Sequence, residues 1–265
     1  MTKRALCVGV NKYPRPELEL KGCVNDAKAW ASLLAEHFDF AGSDVTLLTN
    51  AKATKKNVWR ALQALVTQAK RGDVLVYSNS SHGTYRRDTD GDEHLYDEAI
   101  CPYDCDEALL LDDELRELFD NLPAGVRLTV IADNCHSGSG TRVAPDLTPD
   151  RRRPRFADPR LLGLPAIDDV RRTAKPRNES RSESSMHELL LSGCRADQYS
   201  FDARIDGAFH GAMSHTAAQL IAAADYRITY AQLHRQLVPA LRDANFDQEP
   251  QLEGKTAFKR RQVFT

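Results

Sequence analysis

The sequence predicts an α/β fold, a mostly parallel central sheet flanked by helices on both faces. Two observations predict it. Short apolar runs rich in Val, Leu and Ile recur along the chain, and longer amphipathic runs separate them. The short runs are continuously apolar rather than alternating, as expected of strands covered on both faces.

Each element has a local reason. Strands are predicted at Ala5–Val10, Asp44–Leu48, Asp73–Tyr77, Arg127–Ala132 and Glu188–Ser192. Asn25 is placed to cap a helix carrying Ala27, Trp30, Leu33, Leu34 and Phe38 on one face. Thr54 caps a second, with Val58, Leu62, Leu65 and Val66 inward, and Asp112 or Asp113 opens a third through Leu115, Leu118 and Phe119. Later come a helical run from Met213 to Ala224 and another from Thr229, which Pro239 should kink.

Between Thr141 and Met186 the rhythm fails. This stretch holds six of the 12 prolines and is studded with arginines. We therefore read residues 1–140 as a larger front piece, 141–186 as an Arg/Pro-rich linker, and 187–265 as a smaller back piece completing the same domain.

Composition narrows the function classes. The 265 residues carry 36 basic and 38 acidic side chains, so the formal charge of −2 argues against nucleic acid and membrane surfaces as partners. No apolar run approaches the ~18 residues of a membrane span. The opening apolar stretch is too short for a signal-peptide core. Six dilute cysteines do not suggest a disulfide scaffold, and a cytoplasmic, monomeric protein is expected.

Two segments place reactive residues just after a predicted buried strand. One runs from Asp73 to Ser80-Ser81-His82-Gly83-Thr84; the other runs from Arg127 to Asp133-Asn134-Cys135-His136-Ser137-Gly138. Sites in parallel α/β sheets form at the carboxyl ends of strands. A thiol needs a base to become a thiolate, and imidazole suits that role near neutral pH. Gly83 and Gly138 permit close backbone approach, and N–H groups near Gly83 and Cys135 are placed to hold a developing oxyanion. Cys101 and Cys105 lack a second ligand pair, so zinc is not expected there.

His82 precedes Cys135 by 53 residues. With Ala5-Leu-Cys-Val-Gly-Val-Asn-Lys-Tyr13, Gly22-Cys23-Val-Asn-Asp26-Ala27, Tyr96-Asp97-Glu98, Asp112-Asp113-Glu114, Leu191-Ser-Gly-Cys-Arg-Ala-Asp-Gln198 and Gln248-Glu-Pro-Gln-Leu-Glu-Gly254, the chain resembles caspase-like cysteine peptidases of the metacaspase and orthocaspase branch, peptidase family C14. The resemblance covers nearly everything outside the linker. It implies a caspase–haemoglobinase fold and cleavage of polypeptides after Arg or Lys through a thioester, with Cys135 as nucleophile and His82 as base. It assigns Asp26, Asp133, Ser80 and Cys23 to the specificity pocket, and two carboxylates in one pocket do suit a basic side chain.

The resemblance also implies a calcium site, to which Asp97, Asp112 and Asp113 match three acids; the fourth is missing, so calcium is not expected to be strictly required. The run Asp88-Thr-Asp90-Gly-Asp92-Glu93 reads as a solvated acidic turn. Because the linker is basic and proline-rich, self-cleavage is expected at Arg152, Arg155, Arg172, Arg177 or Arg181, while Arg153 and Lys175 are each followed by proline and should resist. One departure is Ser81, where the family usually has glycine before the histidine. If that position needs a positive φ, serine is strained, and a catalytically impaired pseudoprotease that binds peptides or scaffolds an assembly is the alternative. An amidase on a related fold is a weaker one. Substrate, pathway and any upstream activator are not written in the sequence.

Overall fold

The computed structural model describes residues 1–87, 96–135, 152–164 and 182–265. A six-stranded sheet carries the molecule. It comprises β1 (Lys3–Gly9), β2 (Val45–Thr49), β3 (Val74–Ser80), β7 (Arg127–Asp133), β9 (Glu188–Ser192) and β12 (Gln251–Glu253), in spatial order β12-β9-β7-β3-β1-β2. Every pairing is parallel except β12 with β9. Residues from both sides of the basic linker thus share one sheet.

Alternation along the strands sorts the core into two layers. Ala5, Cys7, Val74 and Val76 face one side, together with the buried faces of α1 (Cys23–His37), α4 (Ala212–Ala223) and α5 (Tyr230–Asp243). Leu6, Val8, Leu75 and Tyr77 face the other, against α2 (Lys55–Thr67) and α3 (Asp112–Asp120). Side chains at successive strand positions point to opposite faces, so a continuously apolar strand feeds both layers.

Local signals set most boundaries. Thr54 accepts from the Asn57 N–H and Thr229 from the Gln232 N–H, each capping its helix. α1 instead begins at Cys23 with Gly22 at the cap, so Asn25 lies inside the first turn rather than capping it; its amide donates to the Phe209 carbonyl. Pro239 sits inside α5, and the helix runs on to Asp243.

Two smaller sheets escape the sequence pattern. β4 (Gly83–Arg87), β5 (Tyr96–Ile100) and β6 (Leu110–Leu111) form one. β8 (Arg152–Pro154), β10 (Phe201–Ile205) and β11 (Ala208–Gly211) form the other. β8 lies in the segment read as an Arg/Pro-rich linker, and a single helical turn at Pro159–Leu162 follows it. That stretch has no apolar period because backbone pairing and charge hold it. No helix among the described residues is long and apolar enough to cross a membrane, and all six cysteines are free thiols.

Candidate active site

The carboxyl ends of β3 and β7 lie side by side, with Ser80 in register with Asp133. His82 follows one and Cys135 the other, both about 1% exposed. The His82 Nε2 lies 2.9 Å from the Leu18 carbonyl oxygen. A carbonyl only accepts, so Nε2 carries the hydrogen and Nδ1 keeps its lone pair. Nδ1 is buried without a hydrogen-bond partner. The Tyr13 hydroxyl accepts from the His82 N–H at 3.0 Å, and the two rings pack 5.4 Å apart. Burial pushes the imidazole down to about 3, against the opposing pull of the Leu18 carbonyl.

Ser81 is buried and does not adopt a positive φ. Its hydroxyl accepts from the Asn79 amide and donates to the His82 carbonyl. The strain that would disfavour serine before the histidine is absent.

The Cys135 thiol donates to the Ser200 carbonyl at 3.3 Å and accepts from the Ser200 N–H. Cys194 packs beside it; contact with the Cys135 thiol, and then burial, raise the Cys194 pKa. Gly83 and Cys135 meet so closely that a Cβ at Gly83 would collide with the Cys135 carbonyl, so this position requires glycine.

Arg155 occupies the centre of the site and is completely buried. Its carbonyl oxygen accepts from both the Gly83 N–H, at 2.9 Å, and the Cys135 N–H, at 3.2 Å. Its own N–H donates to the Ser200 carbonyl at 2.9 Å. Its guanidinium lies 2.6 Å from Asp26, 3.2 Å from Asp133 and 3.2 Å from Asp202, and also donates to the Asp133 carbonyl. Burial opposes the charge on Arg155, and the three surrounding carboxylates outweigh it.

The carboxylates divide the same balance differently. Burial alone would raise Asp26, but Arg155, His210 and the Gly211 N–H together hold it below the usual range. Asp202 ends above that range, because burial outweighs its share of Arg155. Ser200 donates its hydroxyl to Asp133, and Gln248 bridges the Gly193 carbonyl and the Phe201 N–H, which fixes the strand carrying Asp202. Cys23, whose thiol is raised by burial, neighbours the guanidinium; Ser80 is buried beside Asp133.

The segment around Arg155 is extended. β8 pairs antiparallel with β10, Phe201 opposite Pro154 and Asp202 opposite Arg153. Arg153 donates to the Glu17 and Glu19 carbonyls, while Arg152 donates to the Asn245 carbonyl and lies 4.3 Å from the Phe246 ring centre. After Arg155, Phe156 bridges Gly83, and Ala157 exchanges two hydrogen bonds with the Gly83 and Thr84 positions.

Of the sequence-derived site residues, His82, Cys135, Gly83, Asp26, Asp133 and Cys23 thus converge around one arginine, with Ser80 at the rim of the group. Asp97, Asp112 and Asp113 lie elsewhere, at the small antiparallel sheet. Asp97 pairs with Arg86 at 2.8 Å, and Arg116 contacts Asp112 and Asp113. No three His, Cys, Asp or Glu side chains among the described residues are grouped to hold a metal. Arg172, Arg177, Arg181 and the run from Asp88 to Glu93 lie outside the described residues.

Sequence reasoning missed Asp202, Ser200 and the Leu18 carbonyl. An acid inside the apolar stretch Phe201-Asp202-Ala203 was the available signal for the first. A backbone carbonyl leaves no such signal.

Residues 3–144 match the metacaspase, peptidase C14 domain family. The chain is 32% identical to Metacaspase-1 of Scheffersomyces stipitis over 289 aligned positions, covering 94% of the chain and 70% of the relative. It is 43% identical to Metacaspase-4 of Arabidopsis thaliana over 145 positions, or 52% of the chain and 34% of the relative. In structure it resembles a Geobacter sulfurreducens protein with a TM-score of 0.73 and 29% identity, spanning 100% and 99% of the two chains. Caspase-1 of Spodoptera frugiperda shares the fold, with a TM-score of 0.61 and 13% identity over 95% and 88% of the chains.

Proposed function

The chain belongs to the metacaspase family of peptidases, and from that premise we propose that it is a cysteine endopeptidase that cleaves after Arg or Lys and processes itself between Arg155 and Phe156. One observation carries the reading. The Arg155 carbonyl sits between two N–H donors, one of them the nucleophile's own, while its guanidinium fills a pocket of three carboxylates. That is the posture a substrate needs: scissile carbonyl polarised, neighbouring side chain recognised, backbone paired to an edge strand.

The chemistry follows from the atoms present. Turned from Ser200 toward the imidazole, the Cys135 thiol gives its proton to the His82 Nδ1 lone pair, and the thiolate attacks the Arg155 carbonyl carbon. The Gly83 and Cys135 N–H groups hold the oxyanion. Collapse breaks the bond to Phe156, whose nitrogen takes the proton from His82 and leaves as a free amine. Water, deprotonated by the same imidazole, hydrolyses the thioester and restores the thiol. The Leu18 carbonyl keeps the ring in the tautomer that makes both transfers.

Before cleavage the chain's own arginine blocks the pocket, so the reading makes the intact protein self-inhibited. Polypeptides with a basic residue before the cut are then the substrates. Calcium is not strictly required in this reading, because Arg86 and Arg116 supply cations at the acids where it would bind. An unstrained Ser81 removes the reason for preferring a pseudoprotease.

A gel with mass spectrometry tests the proposal. Wild type is expected to give fragments 1–155 and 156–265 and to hydrolyse fluorogenic arginine peptides, in chelator as well as in calcium. Cys135→Ala should stay whole and inactive. Equal nicking of both proteins, or arginine-peptide activity that survives Cys135→Ala, overturns the reading.

A further inference from the structure

The residue that follows the buried arginine has a seat of its own. The Phe156 ring stacks on Tyr85 with centroids 5.9 Å apart and planes 26° from parallel. Its other neighbour is Tyr199, at 6.2 Å and 54°. Tyr85 belongs to β4, two positions beyond the Gly83 oxyanion donor, and Tyr199 directly precedes Ser200, which pairs with the Arg155 backbone. The two tyrosines therefore come from elements that already grip the arginine, one on each side of the linker in sequence.

The next residue is held as tightly. Ala157 is completely buried, its N–H donates to the Gly83 carbonyl at 2.9 Å, and its carbonyl accepts from the Thr84 hydroxyl at 2.8 Å. These bonds fix the path of the chain beyond the scissile bond and leave room there for a small side chain. With path and register fixed, the ring at position 156 has one place to go.

We infer that Tyr85 and Tyr199 form a subsite for an aromatic residue immediately after the scissile bond, and that the position beyond it takes a small residue. This rests on the reading that Arg155–Phe156 lies in the site as a substrate does, and it extends that reading to proteins cut in trans. A ring seated between two others gains stacking beyond its buried area. Because the leaving segment stays bound through acylation, that gain enters kcat/KM for the substrate.

The test uses the self-processed wild type and internally quenched peptides with Arg-Arg-Pro-Arg before the cut and Phe-Ala, Ala-Ala, Asp-Ala or Phe-Trp after it. We expect kcat/KM for Phe-Ala to exceed Ala-Ala by about tenfold, the order two ring contacts supply, with Asp-Ala and Phe-Trp both poor. In Tyr85→Leu/Tyr199→Leu, which keeps bulk but removes the rings, the Phe-to-Ala ratio should fall to about one. The ratio is taken within each enzyme, so a loss of folded protein does not move it. Equal rates for Phe-Ala and Ala-Ala in wild type, or a ratio that survives the double variant, overturn the subsite while the arginine specificity stands. Cleavage of no peptide overturns the peptidase reading and the subsite with it.

Discussion

Replacing Arg155 by alanine in a Cys135→Ala background, where no cutting is expected, isolates the role of the buried guanidinium. The substitution leaves Asp26, Asp133 and Asp202 facing one another with at most 2% side-chain exposure and no cation. Removing one partner of a buried ion pair costs about 3–5 kcal/mol. At ~2–4 °C per kcal/mol, the melting temperature should drop by about 6–20 °C at neutral pH. The sign of its pH dependence follows from the carboxylates. With Arg155 present, Asp26 is held below its ordinary value, so its contribution is complete above the usual carboxylate range and is lost as pH falls through the depressed folded value. Without Arg155, uncompensated burial raises Asp26 and Asp202, and their contribution is present in acid and lost as pH rises through the raised values. The gap between the two proteins should therefore narrow from pH 7 toward pH ~4. Arg155→Lys keeps the charge but not the fork, and should fall between them. Thermal melts followed by circular dichroism at several pH values provide the assay. A gap under ~2 °C at neutral pH, below the range just derived, or one that does not change with pH, would refute the argument.

Three further outcomes are expected. His82, ordinarily near 6.5 and pushed down to about 3 by burial, refuses a proton that the unfolded chain accepts. Stability should therefore fall by about 1.4 kcal/mol per pH unit as pH drops below ~6.5, and denaturant titrations should find that slope reduced in His82→Gln. Asp202→Asn removes a charge-assisted bond to the basic side chain and should lower kcat/KM for arginine peptides about ten- to hundredfold, mainly through KM. Unchanged KM would take Asp202 out of the pocket. Gly83→Ala forces a Cβ into the Cys135 carbonyl, displacing an oxyanion donor, and should cost about 10²–10³ in kcat while the protein still melts cooperatively.

Much of this molecule is legible along the chain. Continuous apolar runs locate the parallel strands within a few residues, because burial on both faces leaves a local, one-dimensional mark. Thr54 and Thr229 announce their helices by the same logic of local hydrogen bonding. His82, Cys135, Asp26 and Asp133 are visible because each sits in a short motif beside a predictable element. Segments with a weak period go unassigned: β8 and β10 owe their pairing to each other, not to their own composition.

The tertiary structure decides which of these residues meet. Nothing local distinguishes Arg155 from Arg152, Arg172, Arg177 or Arg181; only the path of the chain across the sheet's carboxyl edge sets its guanidinium against Asp26, Asp133 and Asp202. Asp202 joins a pocket whose other acids precede it by 176 and 69 residues, so no spacing rule could reach it. The tautomer of His82 depends on a backbone carbonyl at Leu18, a group every residue carries, which acquires its role from position alone. Charge and hydrogen bonding act through distance in space, whereas periodicity acts along the chain. The proposed pair, His82 and Cys135, is therefore readable from sequence, while the occupant of the pocket, its third acid and the seat for Phe156 are fixed only when the sheet brings distant segments together.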